Sequence, residues 1–282
     1  MKPQTRSQYA RRLEPVLAWL AAHPDEDANL YRLAELACLS PYHFHRVYRG
    51  MVGETVAATV QRVRLLRASA ELRSGSRSLD QVARRAGYES TAAFSRAFSA
   101  AFGMSPGRYR QDRSPEIIQR EKELAMHSVQ ITAFPGLSLA TLPHAGDYLE
   151  IGAAFDRLFI LASDRGLIRD GARSFAVYYD DPEQVAKQDL RSEAGVEVAP
   201  EEEVTEPLRR LELPAGRCAV LEHVGPYSEL DTAYAWLFGS WLPGSGEQTA
   251  DFPVFEEYLN DPKNTPPSEL RTLIYLPLEG RP

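Results

Sequence analysis

Three groups of side chains in this 282-residue sequence could do chemistry. The first is a carboxylate among aromatics. In the run Phe255-Glu256-Glu257-Tyr258, a strand places Glu256 and Tyr258 on one face and Phe255, Glu257 and Leu259 on the other. Walled by Tyr148, Tyr178, Tyr227, Trp236 and Trp241, Glu256 would be costly to bury empty and attractive to an organic cation. The same rings would also serve as core around an exposed glutamate, and the residues alone leave both readings open. The second group is Arg46 and Arg96, whose guanidinium forks suit phosphate oxygens and guanine edges. The third is His43 and His45 with two distant cysteines, Cys38 and Cys218. Residues i and i+2 diverge on a helix, so no metal site and no disulfide framework are expected. No nucleophile elbow or phosphate loop is present, and neither a cofactor nor an enzymatic activity is expected.

These groups need elements to carry them. The formal net charge of −7 averages two unlike parts. Residues 1–115 carry 18 Lys+Arg against 10 Asp+Glu, a net of +8, and residues 116–282 carry 14 against 29, a net of −15. Seventeen of the 18 cations in the basic part are arginines, which points to nucleic acid as its partner. Its pattern is short amphipathic helices. Ser40-Pro41 is an N-cap followed by proline at the first helical position, and Ser78 with Gln81 spells a capping box. A helix over about Glu54–Arg73 is expected to hold Val56, Val60, Val63 and Leu66 inside and its arginines outside. Phe94, Phe98 and Phe102 stripe the last long helix.

Two helix pairs are copies of each other. Ser40/Ser90, Phe44/Phe94, Arg46/Arg96, Tyr48/Phe98 and Gly53/Gly103 align at an offset of 50, each within a helix, a short turn and a second helix. With Phe44 and Phe94 inward, Arg46 and Arg96 point outward. The connecting helix of about 20 residues spans roughly 30 Å, close to the roughly 34 Å between neighbouring major-groove segments on one face of a duplex. One polypeptide could thus fill both grooves.

The acidic part repeats as well, at an offset of 79. LPHAGDYLEIGAAFDRLF (142–159) aligns with LEHVGPYSELDTAYAWLF (221–238), including His144/His223, Tyr148/Tyr227, Glu150/Glu229 and Phe159/Phe238. One residue further in register, Phe175 matches Phe255 and Tyr178 matches Tyr258, while Ala176 stands where the second copy has Glu256. Symmetry therefore does not demand that charge. His144 and His223 are expected to serve the turns.

On these residues the sequence resembles two families. ARRAGYESTAAFSRAFSAAFGMSPGRYR and LAELACLSPYHFHRVYR resemble the two helix-turn-helix motifs of AraC/XylS-type transcription regulators, over about residues 8–112. The resemblance implies duplex DNA as partner, read by Tyr42, His45 and Arg46 and by Thr91, Ala92 and Arg96. Cys38 departs from the glycine usual in that turn. Ala92 and Ala93 lack hydrogen-bonding groups and can only touch thymine methyls, which implies weaker or more shape-based readout by the second motif. Residues 126–279 resemble the GyrI-like effector-binding domain through H-x-G-x-Y twice, YYDDP, WLPGSG and FEEYLNDP. That implies a cleft for small lipophilic, often cationic, molecules, with Glu256 as the matching carboxylate. Some GyrI-like proteins are hydrolases, which makes turnover or sequestration of a small molecule the alternative.

The expected fold is multidomain: an all-α double helix-turn-helix domain (1–112), a linker (113–125), and an α+β domain (126–282) of two pseudo-twofold strand-helix-strand-strand repeats. Expected partners are double-stranded DNA, a small-molecule effector and, at a promoter, RNA polymerase. The N-terminus lacks a signal-peptide pattern and no apolar run is long enough to span a membrane, so no membrane partner and a cytoplasmic location are expected.

Overall fold

Polar caps set the helices of the first half in the computed structural model, which describes residues 3–113 and 128–280. After α1 (Pro3–Ala22) come α2 (Leu30–Leu36), α3 (Pro41–Val52), α4 (Val56–Ser74), α5 (Leu79–Arg85), α6 (Thr91–Phe102) and α7 (Pro106–Asp112). Asn29, Ser40, Thr55, Ser90 and Ser105 each accept a backbone N–H of the helix they open, and Ser78 with Gln81 closes the capping box. The helices α2–α3 and α5–α6 are the two helix-turn-helix units. Leu13, Val16, Leu33, Phe44 and Tyr48 form the first core, and Leu65, Leu72, Val82, Phe94, Phe98, Phe102 and Tyr109 the second.

Cys38 sits in the first turn at φ 52, the sole non-glycine with positive φ among the described residues, whereas the second turn has Gly87 at φ 81. A Cβ is strained there. Cys38→Gly is therefore expected to stabilise the protein by about 0.5–1 kcal/mol, measured as a raised urea midpoint. An unchanged or lowered midpoint would show that the strain is already relieved.

Helix α4 departs from the expected inside-and-outside split. Val56, Thr59, Leu65, Ala68 and Leu72 are its buried core residues. Val63 and Leu66 lie on a different side and line a cavity formed with the second half of the chain. Its arginines Arg62, Arg67 and Arg73 turn to carboxylates of that half and not to solvent.

Beyond residue 128 an antiparallel sheet of eight strands curls around helices. The strands are β1 (Val129–Phe134), β2 (Leu137–Ala145), β3 (Ser174–Tyr178), β4 (Arg191–Val198), β5 (Arg209–Leu213), β6 (Gly216–Val224), β7 (Phe255–Tyr258) and β8 (Arg271–Leu278), in the order β1-β6-β8-β7-β3-β4-β2-β5. Helix α8 (Gly152–Asp164) covers β2 and β4 through Ala154, Leu158 and Leu161. Helix α9 (Leu230–Trp236) covers β6 and β8 through Ala233, and a π-helical turn, Leu237–Trp241, follows it. Alternation sends Phe175, Val177, Phe255 and Tyr275 to the opposite face, into a second core with Phe134 and Cys218. Burial pushes the Cys218 thiol up to about 11, so it stays protonated. The curl brings the β1–β2 turn onto the β5–β6 turn: a Cβ at Gly136 would meet the Ala215 nitrogen at 2.8 Å. Apart from Arg113, the expected linker 113–125 lies outside the described residues. No helix among the described residues is long and apolar enough to cross a membrane.

Candidate ligand cavity and nucleic-acid interface

Strand β7 places Glu256 directly across from Ala176 on β3, where the neighbouring side chain is only a methyl group. Glu256 is 2% exposed. Tyr234 donates to its Oε1 and Tyr258 to its Oε2, both at 2.8 Å, and the Tyr178 and Tyr258 hydroxyls meet at 2.7 Å. No lysine, arginine or histidine among the described residues is paired with it. Burial raises its carboxyl above the ordinary 4.5, although the tyrosine hydroxyls pull the other way. The same burial, then the Glu256 charge, holds Tyr178, Tyr234 and Tyr258 protonated. The adjacent Glu257 points away, into a bidentate pair with Arg173 at 2.7 Å and a hydrogen bond from Tyr275 at 2.8 Å.

Glu256 lines a cavity of about 1580 Å³, larger than the usual 300–1,000 Å³ of small-molecule sites. Tyr148, Tyr178, Tyr227 and Tyr258 line it, joined by Phe155, Phe159, Tyr234 and Phe238. Trp236 and Trp241 do not line it and pack on the core of Ala219, Leu221 and Leu237. Trp236 follows the cavity-lining Tyr234 by two positions on α9, which rotates it to the opposite side. Trp241 ends the π-helical turn, whose additional residues per turn rotate it off the face that Tyr234 and Phe238 share. His144 and His223 each donate a ring N–H to a turn carbonyl, those of Asp147 and Pro226.

On the helical half, Tyr42, His45 and Arg46 are exposed on α3. Arg46 donates to the Tyr42 hydroxyl at 2.7 Å and lies 5.5 Å from the centre of its ring. On α6, Ala92 and Arg96 are exposed and Thr91 is half-buried at the helix start. The structure thus puts both sets on the second helices of their motifs, with alanine where the first motif has polar atoms.

Between the halves lies a set of charges absent from the sequence-based expectations. Arg62 on α4 pairs with Glu54 at 2.6 Å and with Asp156 on α8 at 3.4 Å. Lys263 holds the other Asp156 oxygen at 2.6 Å and donates to the Val52 carbonyl at the end of α3 at 2.9 Å. On the other side, Ser69 donates to Ser228 at 2.7 Å and Tyr109 to Glu229 at 2.8 Å.

The sequence comparisons agree with this division. A model of a helix-turn-helix domain, of AraC type, matches residues 33–112. A model of the GyrI-like small molecule binding domain matches residues 127–279, more than half of the chain. The chain belongs to the GyrI-like family. The GyrI-like half is 28% identical over 152 residues to the probable transcriptional regulator YgiV of Escherichia coli, covering 53% of this chain and 95% of YgiV. The AraC-type half is 31% identical over 98 residues to the regulatory protein SoxS of Escherichia coli, covering 35% of this chain and 92% of SoxS. It is also 35% identical over 99 residues to the transcriptional regulator AlkR of Acinetobacter baylyi, covering 35% of this chain and 32% of AlkR. The chain thus matches only about a third of AlkR's length. It joins an AraC-type helix-turn-helix module to a GyrI-like small molecule binding module.

The GyrI-like cavity residues that sequence reasoning missed left a signal. Phe155 and Tyr234 stand at the same offset of 79 as the identical pairs, but as a Phe/Tyr exchange they do not register as a match. Phe159 and Phe238 are identical in the repeats and turn out to share the cavity wall. Arg62, Asp156 and Lys263 left none, since their partners across the two halves lie more than 90 residues away along the chain.

Proposed function

We propose that this protein is a one-component transcription regulator whose GyrI-like half binds a lipophilic cation and whose AraC-type half binds a specific duplex. The observation that carries the reading is Glu256, a buried carboxylate boxed by tyrosines in a large cavity, with no cationic side chain paired to it among the described residues. An isolated buried charge is costly, and an aromatic box around it fits a cation that brings its own apolar surface. Isothermal titration calorimetry with tetraphenylphosphonium, against neutral triphenylphosphine oxide, tests this. The cation should bind more tightly by at least tenfold, and equal binding would sink the charge reading.

The finer organisation belongs to the same reading: a DNA-binding domain over 1–112, a linker over 113–125 and an effector domain over 126–282. The effector domain is taken as two pseudo-twofold repeats. The offset of 79 and the central pairing of β3 with β7 support this. RNA polymerase is the further partner at a promoter, and the cytoplasm is the proposed location. We read the cavity as binding without turnover. Both Glu256 oxygens accept tyrosine hydrogen bonds, which suits holding a charge better than moving a proton. Mass spectrometry of ligands recovered after incubation should return them unchanged; a hydrolysed product would overturn this.

Duplexes selected by the protein from a random pool provide a target for the helical half. Arg46→Ala and Arg96→Ala should each weaken binding to the selected duplex by about 1–3 kcal/mol and relax preference at one position. Retention of both affinity and preference in both variants would refute base reading by these arginines.

A further inference from the structure

The effector cavity is not closed by the GyrI-like half alone. Helix α4, the rod between the two helix-turn-helix units, lies across its mouth and contributes Val63, Leu66 and Ala70 to the lining, with Leu17 and Leu20 of α1 beside them. Val63, Leu66 and Ala70 follow a helical i, i+3, i+7 spacing, so they form one stripe. The buried residues Leu65, Ala68 and Leu72 occupy another stripe and serve the second helix-turn-helix core. A helix with two apolar stripes needs two covers. The DNA-binding core supplies one, and the cavity with its contents faces the other.

The rod rests on the two turns that carry cavity tyrosines, Tyr148–Glu150 and Tyr227–Glu229. In each turn the tyrosine lines the cavity, and the glutamate two residues on pairs with the DNA-binding half. Glu150 meets Arg67 of α4 at 3.5 Å, and Glu229 accepts the Tyr109 hydroxyl at 2.8 Å and meets Arg113 at 3.5 Å. The loop with Lys263 also lines the cavity and reaches the last carbonyl of α3. Three supports of the DNA-binding half are therefore built on segments whose other side chains form the ligand wall.

We infer that the effector is bound between the modules, with Val63 and Leu66 of α4 as ligand-contact residues, so that effector and DNA affinities are coupled directly through α4. This rests on the reading of the cavity as a cation site. A ligand that reaches from Glu256 to α4 must be large, which makes bulky aryl or polycyclic cations the fitting class and leaves small quaternary amines without contact to the rod. Linkage then requires that DNA change the ligand's affinity by the same factor by which the ligand changes the DNA's.

The test uses the full chain and two probes, tetraphenylphosphonium and the smaller benzyltrimethylammonium. Leu66→Trp fills the α4 side of the cavity and should weaken the larger cation at least tenfold while changing the smaller one less than threefold. Val63→Ala, which preserves the helix and only removes contact, should weaken the larger cation alone, by about threefold. In the unaltered protein, saturating selected duplex should shift tetraphenylphosphonium affinity at least threefold, with an equal shift in the reverse titration. Equal effects of Leu66→Trp on both cations, or no shift with duplex, overturns the inference while leaving cation binding at Glu256 intact. Glu256→Gln separates the two levels. If it spares both cations, the cation reading itself has failed and the inference falls with it.

Discussion

Replacing Glu256 by Gln is expected to weaken tetraphenylphosphonium binding about 30-fold while making the empty protein more stable. The two effects have one origin. A cation against a desolvated carboxylate gains about 2 kcal/mol or more, at the low end of the coupling between close charge pairs, which is about a factor of 30. Without the cation, the charge has only tyrosine hydroxyls, those of Tyr234, Tyr258 and Tyr178, to replace water. Its carboxyl is raised above 4.5 by burial, so the native state holds the proton longer than the unfolded chain does. Stability contributed by Glu256 is thus fully present below about pH 4.5 and is lost as pH rises through the folded-state value. Glu256→Gln, which cannot ionise, escapes that loss and should have the higher urea midpoint at pH 7. In the native protein, the same window should show cation affinity rising with pH, with a proton released on binding. Calorimetry in buffers of different ionisation enthalpy measures that proton. Binding independent of pH from 4.5 upward, with no proton released, would mean the carboxylate is already ionised when empty.

The largest expected loss of stability comes from Arg62→Met. Arg62 is charged at every accessible pH, because its pairing with Glu54 and Asp156 outweighs the burial that opposes its charge. The side chains of Glu54 and Asp156 are 10% and 7% exposed. Removing the guanidinium leaves Glu54 with the Thr59 hydroxyl alone and Asp156 with Lys263. Breaking a buried pair by deleting one partner costs about 3–5 kcal/mol, because the other charge stays buried. Combining Arg62→Met with Glu54→Gln should recover part of the loss, since the orphaned carboxylate is neutralised. Urea denaturation followed by fluorescence reads both variants. A single-variant loss below about 1 kcal/mol would place the cluster among exposed pairs, which contribute little.

Most of the fold could be read from local chemistry. Ser40, Ser78 and Ser90 announce helix starts, the phenylalanines four apart mark a buried stripe, and alternation around Glu256 fixes its face. The strand β5 was harder: Arg-Arg-Leu-Glu-Leu carries charges along an edge and buries little besides Leu213. The cavity was half legible. Repeats identify residues that recur, but not which of them meet, and a two-residue step on α9 separated Tyr234 from Trp236. The arginines of α4 were least legible. In sequence they add to a basic, DNA-seeking surface, and in the fold Arg62, Arg67 and Arg73 are spent on Asp156, Glu150 and Asp231. Composition counts charges without saying where a partner 80 or more residues away will stand.

The strand order also dictates a timetable for synthesis. Within the helical half the helix-turn-helix contacts are local and can form soon after residue 112 has emerged, since local topologies fold fastest. The sheet cannot: β1 waits for β6, β3 waits for β7, and β6 waits for β8. At about 5–20 residues per second, the helical half exists for roughly ten seconds or more before the sheet can close. During that interval the Val63–Leu66 stripe of α4 has no cover, and the nascent chain presents a helical head with a bare apolar flank. A ribosome stalled within the second half would expose that flank for longer, making it a natural landing place for chaperones.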